Sequence, residues 1–311
     1  MKILLIIFVL IILFELIIYK LIKKISLSKW ILINKKKTIF NLDRFKNFKK
    51  KNYNQYLGWD KKKDTKNYEL RKKKKINYSI SKLGFRKSNF IKYKNNIATF
   101  GDSYTFCRQS SDHETWQEII SKNQKKFVSN YGVGNYGLDQ AFLKYKKTKL
   151  NKNTNIVIFG VVPETICRIQ SIWKNYLEFG NIHGFKPYCT LENNKIVIKK
   201  NFLKKNHRFE DLKPIVKKIS KFDRFYNEKY KKHLLKFPYS YHYIKNILFN
   251  LKITFKYFSL ITQRKSNKSA MDKIFFPIVM ENNISKSHNL YKEHYSTFLL
   301  ESLLFKINKD V

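Results

Sequence analysis

The chain has 311 residues, of which 43% are hydrophobic and 16% aromatic, with nine glycines and five prolines. This composition excludes a disordered or fibrous protein and suits one large domain with its own core. Lys and Arg number 65 against 22 Asp and Glu, which gives a net charge of +43. The basic residues are spread along the whole chain, as an AT-rich genome also produces, and they form no nucleic-acid-binding motif, so we predict no nucleic-acid partner. Attraction to a negatively charged membrane or polysaccharide requires no motif and stays open.

Metal and cofactor sites are not indicated by the sequence. The three cysteines, Cys107, Cys167 and Cys189, form no CxxC pair, and the histidines have no metal-ligand spacing. We therefore expect neither a metal nor a cofactor.

The N-terminal residues 3–19 are almost wholly apolar. As a helix they reach about 25 Å, and extension to Ile22 spans a bilayer core. A cleaved signal peptide is the alternative, but no small-x-small cleavage site follows, so we predict a transmembrane anchor over residues 1–22. Glu15 lies inside this span and needs an interface or a polar partner there. By the positive-inside rule, the lysines after the span favour a cytoplasmic location for the rest of the chain. The rule carries little weight here, because lysines occur along the whole chain.

Residues 23–75 are basic and carry little hydrophobic pattern, which is typical of a solvated stalk. Residues 76–90 then include an alternating apolar and polar stretch and a turn at Gly84. We therefore expect the globular domain to extend from residue 76 to residue 311.

A short apolar run at residues 97–100 predicts a buried strand that ends at Gly101. Asp102 and Ser103 follow, and a capping box (Ser111-x-x-Glu114) predicts the start of a helical stretch. Ser103 is therefore expected at the carboxyl end of a strand, which is where open α/β sheets bind their ligands.

Two further apolar runs, at residues 127–131 and 156–162, predict more strands, the second with the composition of a central parallel strand. Between them lies a glycine-rich loop at residues 132–137, which we expect to offer backbone N–H groups beside Ser103. A helix is predicted from Asp139 to Leu150. Strands that alternate with helices at this spacing indicate βαβ units and a parallel sheet.

The alternation of predicted strands and helices stops at residues 166–270, which we interpret as an inserted or cap segment. A hairpin is predicted at residues 191–202, turning at Asn193 and Asn194. Residues 237–261 are aromatic, apolar and basic, and they suit either an element lying on the membrane surface or the helices of a cap. Near the C-terminus, residues 274–280 are a strand candidate and residues 290–307 predict an amphipathic helix.

Three short motifs stand close together in the chain: LGFR (83–86), GDSYTF (101–106) and DHETW (112–116). With the anchor and its Glu15, they resemble the SGNH/GDSL hydrolases, and among these the membrane-anchored bacterial members. The resemblance covers most of residues 1–190. It implies an α/β fold, a three-layer α/β/α sandwich with a five-stranded, flavodoxin-like parallel sheet.

The resemblance also implies a catalytic serine. Ser103 takes the place of the nucleophile, and the backbone N–H groups of Ser103 and Gly134 take the place of oxyanion-hole donors. Two positions depart from the family pattern, because Val162 stands where an asparagine donor is expected and the only late match to Asp-x-x-His is Tyr291-x-x-His294. The general base is therefore left open, either as His294 or as a residue beyond a C-terminally incomplete domain.

The function implied by the resemblance is that of a serine esterase or O-acyl-transfer domain. Its expected substrate is an acylated cell-surface polysaccharide or a lipid-linked sugar, and the domain is expected in the periplasm on a single-pass anchor. The alternative is a catalytically impaired or truncated SGNH-like protein that binds envelope polysaccharide.

Overall fold

The computed structural model describes residues 2–33, 40–71, 74–264 and 267–311. Up to the end of the central sheet, its elements are helices α1 (Lys2–Ile25) and α2 (Leu42–Lys51), strands β1 (Tyr53–Asn54), β2 (Gly58–Trp59), β3 (Thr65–Arg71), β4 (Lys74–Ile80) and β5 (Asn95–Gly101), a 3-10 turn (Asp112–Glu114), helix α3 (Trp116–Gln124), strand β6 (Phe127–Asn130), helix α4 (Leu138–Lys147) and strand β7 (Ile156–Gly160).

The rest of the chain is mainly helical. Its elements are helices α5 (Thr165–Arg168) and α6 (Lys174–Leu177), strands β8 (Tyr188–Glu192) and β9 (Lys195–Lys199), helix α7 (Leu212–Ile219), a π turn (Tyr226–Tyr230), and helices α8 (Lys231–His233), α9 (Tyr239–Ile244), α10 (Ile247–Thr262), α11 (Lys268–Leu290) and α12 (His294–Asp310).

Three parallel strands form the central sheet in the order β6, β5, β7. Ala98 of β5 stands opposite Ser129 of β6 and Val157 of β7. Parallel neighbours require crossovers, and α3 lies between β5 and β6 in the chain while α4 lies between β6 and β7. The predicted α/β class and the three predicted strands are therefore confirmed.

The two faces of β5 contact different helices. Ala98 and Phe100 are fully buried in a cluster with Ala141 of α4. Successive side chains of a strand point to opposite faces, and the Thr99 hydroxyl accepts a hydrogen bond of 3.3 Å from Gln117 of α3. The middle strand is thus held from both sides, and its carboxyl end is a fixed platform.

The prediction that residues 156–162 form a central strand is wrong. The strand β7 ends at Gly160 and lies at an edge of the sheet, and within the described residues no further strand pairs with it. Ile156 and Ile158 are 47% and 39% exposed. A continuous apolar run shows that a segment suits a sheet, but it does not show which neighbours cover that segment.

Residues 42–71, which the sequence assigns to a basic stalk, form α2 and the first three strands. Phe45 and Leu57 are buried there against the body of the protein. Strands β3 and β4 form an antiparallel hairpin. Arg86 bridges this hairpin to the sheet, because its backbone pairs with both Ile80 and Asn130.

The two C-terminal expectations have opposite outcomes. Residues 274–280 are not a strand, since they lie within α11, where buried residues recur every four positions (Met271, Phe275, Val279, Asn283 and Ser287). A short apolar run cannot separate a strand from a buried helix by its periodicity. The amphipathic helix is confirmed as α12, and the hairpin turn is confirmed at Asn193 and Asn194, which both have positive φ.

Helix α1 is apolar and 24 residues long, and it can cross a membrane by its length and composition. A signal sequence near an N-terminus has the same properties. Most of α1 is exposed, but Ile18, Ile22 and Ile25 pack against α10 and α11 in one apolar cluster.

Candidate functional site

Ser103 lies two residues beyond the carboxyl end of β5, at the partly exposed end of the middle strand. Gly101 allows the chain to turn there, because a Cβ on it would stand 2.2 Å from the Thr105 hydroxyl and 2.6 Å from the Gly160 carbonyl. The turn after Ser103 is closed by backbone bonds from Phe106 N–H to the Asp102 carbonyl and from Arg108 N–H to the Ser103 carbonyl. Ser103 is therefore held on a tight, defined turn.

The buried carboxylate of Asp102 fixes the residue before Ser103. Its Oδ1 accepts the Tyr104 N–H at 2.9 Å, and its Oδ2 accepts Nη1 of Arg168 at 2.9 Å. The same Nη1 donates to the Tyr136 carbonyl at 3.0 Å. Arg168 thus connects the serine turn to the glycine-rich loop.

The glycine-rich loop runs alongside β5 and brings Gly134 next to Ser103. The Val133 N–H donates to the Gly101 carbonyl at 2.9 Å. A Cβ on Gly134 would lie 4.0 Å from the Cβ of Ser103, so the two backbones approach closely. Nε1 of Trp59 donates to the Gly134 carbonyl at 3.1 Å and supports the loop from the other side. The two residues predicted for the site are therefore neighbours.

Two of the motifs that carry the family resemblance contact each other behind this turn. Nε of Arg86 donates to the Asp112 carboxylate at 2.7 Å, and its Nη1 and Nη2 donate to the carbonyls of Phe106, Cys107 and Ser110. The guanidinium is 2% exposed. Arg86 therefore holds the loop that follows Ser103 in place. This contact joins the LGFR and DHETW motifs, and neither motif alone predicts it.

A cavity of about 360 Å³ opens beside Gly134 and Asn135. Its wall includes aromatic and basic side chains: Phe48, Trp59, Arg44, Lys61, Arg108 and Lys174. None of these residues is among the site residues predicted from the sequence. Trp59 and Arg44 come from the segment interpreted as a stalk, so only the fold places them here.

Lys174 is a buried lysine in the wall of this cavity. Its Nζ donates to the Asn135 carbonyl at 2.9 Å and lies 3.4 Å from the Glu178 carboxylate. Burial lowers the pKa of Lys174 to about 7, while Glu178 raises it and Arg168 lowers it further. An amine bonded to the glycine-rich loop can therefore release or accept a proton near neutral pH.

His183 lines the same cavity but is otherwise enclosed. Its ring stacks on Phe48 with centroids 5.1 Å apart. Burial, together with the nearby Arg44, lowers the pKa of His183. Nδ1 of this ring is buried, and it has no hydrogen-bond partner within the described part of the chain. His183 is thus a neutral imidazole at neutral pH.

His294 and Val162 stand at the two positions that depart from the pattern the sequence resembles. His294 is the exposed first residue of α12, with its ring stacked on Phe298. None of the hydrogen bonds between residues that the structure describes joins a histidine to Ser103. Val162 follows β7, and its carbonyl accepts the Thr165 N–H at 2.9 Å. In the described ranges, no group of three or more His, Cys, Asp or Glu side chains is placed to hold a metal ion.

In comparisons with known proteins, the chain matches no family model, no curated protein and no solved structure.

Proposed function

We propose that this protein is an SGNH-type serine esterase or O-acyl-transfer domain that acts on acylated envelope glycans or lipids. The observation that carries the proposal is the close approach of Gly134 to Ser103 at the carboxyl end of the middle strand. The strand order also supports it, because β6, β5, β7 corresponds to the 2-1-3 start of a flavodoxin-like sheet. The proposal includes a three-layer α/β/α sandwich and a periplasmic domain on the α1 anchor.

The proposed reaction is an attack by the Ser103 hydroxyl on an ester carbonyl. The tetrahedral intermediate carries an oxyanion, which the backbone N–H groups of Ser103 and Gly134 stabilise. One such donor contributes about 10²–10³ in rate when it is aimed at the developing charge. The alcohol leaves with a proton, and water or an acceptor hydroxyl then releases the acyl group.

We assign the role of general base to Lys174 rather than to His294. A base works best when its pKa is near the working pH, and burial lowers the pKa of Lys174 to about 7. Its amine is bonded to Asn135, the neighbour of Gly134, whereas His294 is an exposed helix residue. His183 in the same cavity is the second candidate.

The test is hydrolysis of a small acetyl ester together with labelling by a serine-directed phosphonate. Ser103→Ala should abolish labelling and lower turnover by at least about 10³-fold, because the nucleophile is lost. Ser110→Ala, on the same loop, is the matched control and should label normally. Equal turnover of the Ser103→Ala variant and the unaltered protein would refute the mechanism.

A second candidate function is glycan binding without catalysis. The cavity favours it, because four cationic side chains line it against two carboxylates, and the rings of Phe48, Trp59 and Phe106 can pack against a sugar. This function predicts binding of an acidic polysaccharide that survives Ser103→Ala, with no phosphonate labelling of the unaltered protein. Labelling at Ser103 would instead favour the esterase.

A further inference from the structure

Helices α9 and α10 pack against the apolar helix α1. Ile18 and Ile22 of α1 share a buried cluster with Ile253 and Tyr257 of α10 and Phe275 of α11. The surface of α10 is therefore continuous with the surface of a helix that can cross a membrane.

Helix α10 is apolar on both of its faces. Its inward face buries Ile253, Tyr257 and Leu260. The same face buries Asn250 and Thr254, whose side chains both bond to Tyr243 of α9. Its outward face presents Leu248 and Phe255, which are 79% and 68% exposed. Helices in water normally turn their apolar side to the core, so this outward face is built for an apolar surrounding.

The outward apolar surface continues from α10 into α9 and the turn before it. We define the outer stripe by its exposed large side chains: Phe237, Tyr241, Ile244, Leu248, Phe255 and Phe258. Tyr241 and Ile244 are three residues apart in α9, so they share one face of that helix. Leu248, Phe255 and Phe258 are seven and three residues apart in α10 and share one of its faces. The outer stripe therefore consists of these two helical faces and of Phe237 before α9.

The segment that carries the outer stripe is basic, although Glu281 of α11 lies 3.5 Å from Lys252 at its edge. The sequence holds no Asp or Glu between Glu228 and Asp272, whereas Lys245, Lys252 and Lys256 flank the stripe. Lysine can lay its methylene chain along an apolar surface and keep its ammonium group in the headgroup region. Anionic lipid headgroups attract such lysines, whereas a protein partner without acidic residues does not attract them.

Glu15 of α1 fixes the depth of these helices. Its carboxylate accepts the backbone N–H groups of Tyr239 and Ser240, the first two residues of α9. A carboxylate at a helix N-terminus is stabilised by the unpaired N–H groups and the helix dipole. The ring of Tyr19, one helical turn further along α1, lies 5.2 Å from the ring of Tyr239. Tyrosines are enriched where a helix leaves the hydrocarbon, so α9 begins at that level.

We propose that α9 and α10 lie in the interfacial layer of the bilayer that α1 crosses, with the outer stripe in contact with lipid. The partner is an anionic lipid surface. This arrangement gives Glu15 the polar partner that it requires within the span, and it holds the body of the protein against the membrane. The inference depends on α1 as an anchor and is independent of the chemistry at Ser103.

The experiment uses the full chain in vesicles of phosphatidylglycerol and phosphatidylcholine, on a Cys107→Ser background in which Cys167 and Cys189 are buried. Leu248→Cys and Phe255→Cys each receive an environment-sensitive fluorophore. Lys147→Cys on α4 is the matched control away from the stripe. Circular dichroism shows whether each variant is folded.

Lipids that carry a nitroxide should quench the labels at 248 and 255 several-fold more than the label at 147, and aqueous iodide should show the opposite order. Equal access of iodide to all three labels would overturn the proposal. Shielding of 248 and 255 from both quenchers, with crosslinking between chains through these cysteines, would also overturn it, because the stripe would then bind a second copy. Neither result bears on turnover by Ser103.

Discussion

Phe100 in β5 and Phe255 in α10 are the same type of residue, yet Phe100 is fully buried and Phe255 is 68% exposed. The ring of Phe100 stacks on Tyr131 at 4.9 Å, so the sheet region keeps its large rings inside. In the anchor-side helices (α9 and α10), rings of the same type form the surface. The two regions of one chain therefore bury the same chemical groups to different extents.

The buried polar groups differ in the same way. The sheet region buries a full ion pair, in which Nζ of Lys186 lies 2.6 Å from the Asp139 carboxylate and also donates to the carbonyls of Arg168, Ser171 and Pro187. The anchor-side helices bury the uncharged Asn250 amide, which donates to the Tyr243 carbonyl, and the hydroxyls of Tyr243 and Thr254, which bond to each other. The apolar outer surface of these helices is the surface that the proposed contact with lipid requires.

The largest predicted effect is the loss of the ion pair in the sheet region. Lys186→Met leaves the Asp139 carboxylate buried without its cation, and burial already raises the pKa of Asp139. We expect the free energy of unfolding to fall by about 3–5 kcal/mol. Urea denaturation in detergent measures it.

The controls separate the ion pair from the general loss of a lysine. Lys146→Met removes a half-exposed partner of Asp310 and should cost below about 1 kcal/mol. Lys186→Met combined with Asp139→Leu should recover most of the loss, since no unpaired charge remains. Equal losses of unfolding free energy for Lys186→Met and Lys146→Met would show that the buried ion pair stabilises the protein no more than the exposed one.

The second prediction compares the two phenylalanines directly. Phe100→Ala should lower the free energy of unfolding by about 3–5 kcal/mol, because it leaves a cavity between β5 and α4. Phe255→Ala, measured in the same detergent, should change it by less than about 0.5 kcal/mol, because the ring has no core contact to lose. A large loss for Phe255→Ala would mean that its ring is part of the core, and the contrast between the regions would disappear.

The sequence predicted the sheet better than the site. Each strand was visible as an apolar run, and the turn after β5 was marked by Gly101, where no side chain fits. The edge position of β7 was missed because hydrophobicity does not reveal covering neighbours. Residues 274–280 were misassigned because the four-residue spacing that marks α11 extends beyond that short run.

The candidate site was only partly predictable for a physical reason. Ser103 and Gly134 are in motifs with local turn chemistry, so their types and spacing carried information. Arg168 and Lys174 follow Ser103 by more than sixty residues, and only the packing of α5 and α6 brings them to Asp102 and Asn135. In so basic a chain, a single lysine in the sequence does not indicate a functional site. The burial that lowers the pKa of Lys174 is a property of the fold.

The last prediction distinguishes the cavity from the rest of the sheet region. Lys174 has a pKa of about 7 when folded and 10.5 as its ordinary value. Below about pH 7 both states bind the proton, and folding carries the full cost of burying a charge. Above that pH only the unfolded state keeps the proton, so the free energy of unfolding should rise between about pH 7 and pH 10.

Lys174→Met should remove part of this rise, and urea denaturation at intervals from pH 6.5 to about pH 9.5 measures it. Lys229 has a pKa of about 8 and contributes in the same direction, so the informative quantity is the difference between the variant and the unaltered protein. Lys186→Met provides the contrast, because Asp139 and three carbonyls hold that ammonium group. If Lys174→Met leaves the pH profile unchanged, the amine keeps its proton throughout, and His183 is then the remaining candidate for the general base. A lost rise would show that Lys174 titrates in the folded protein.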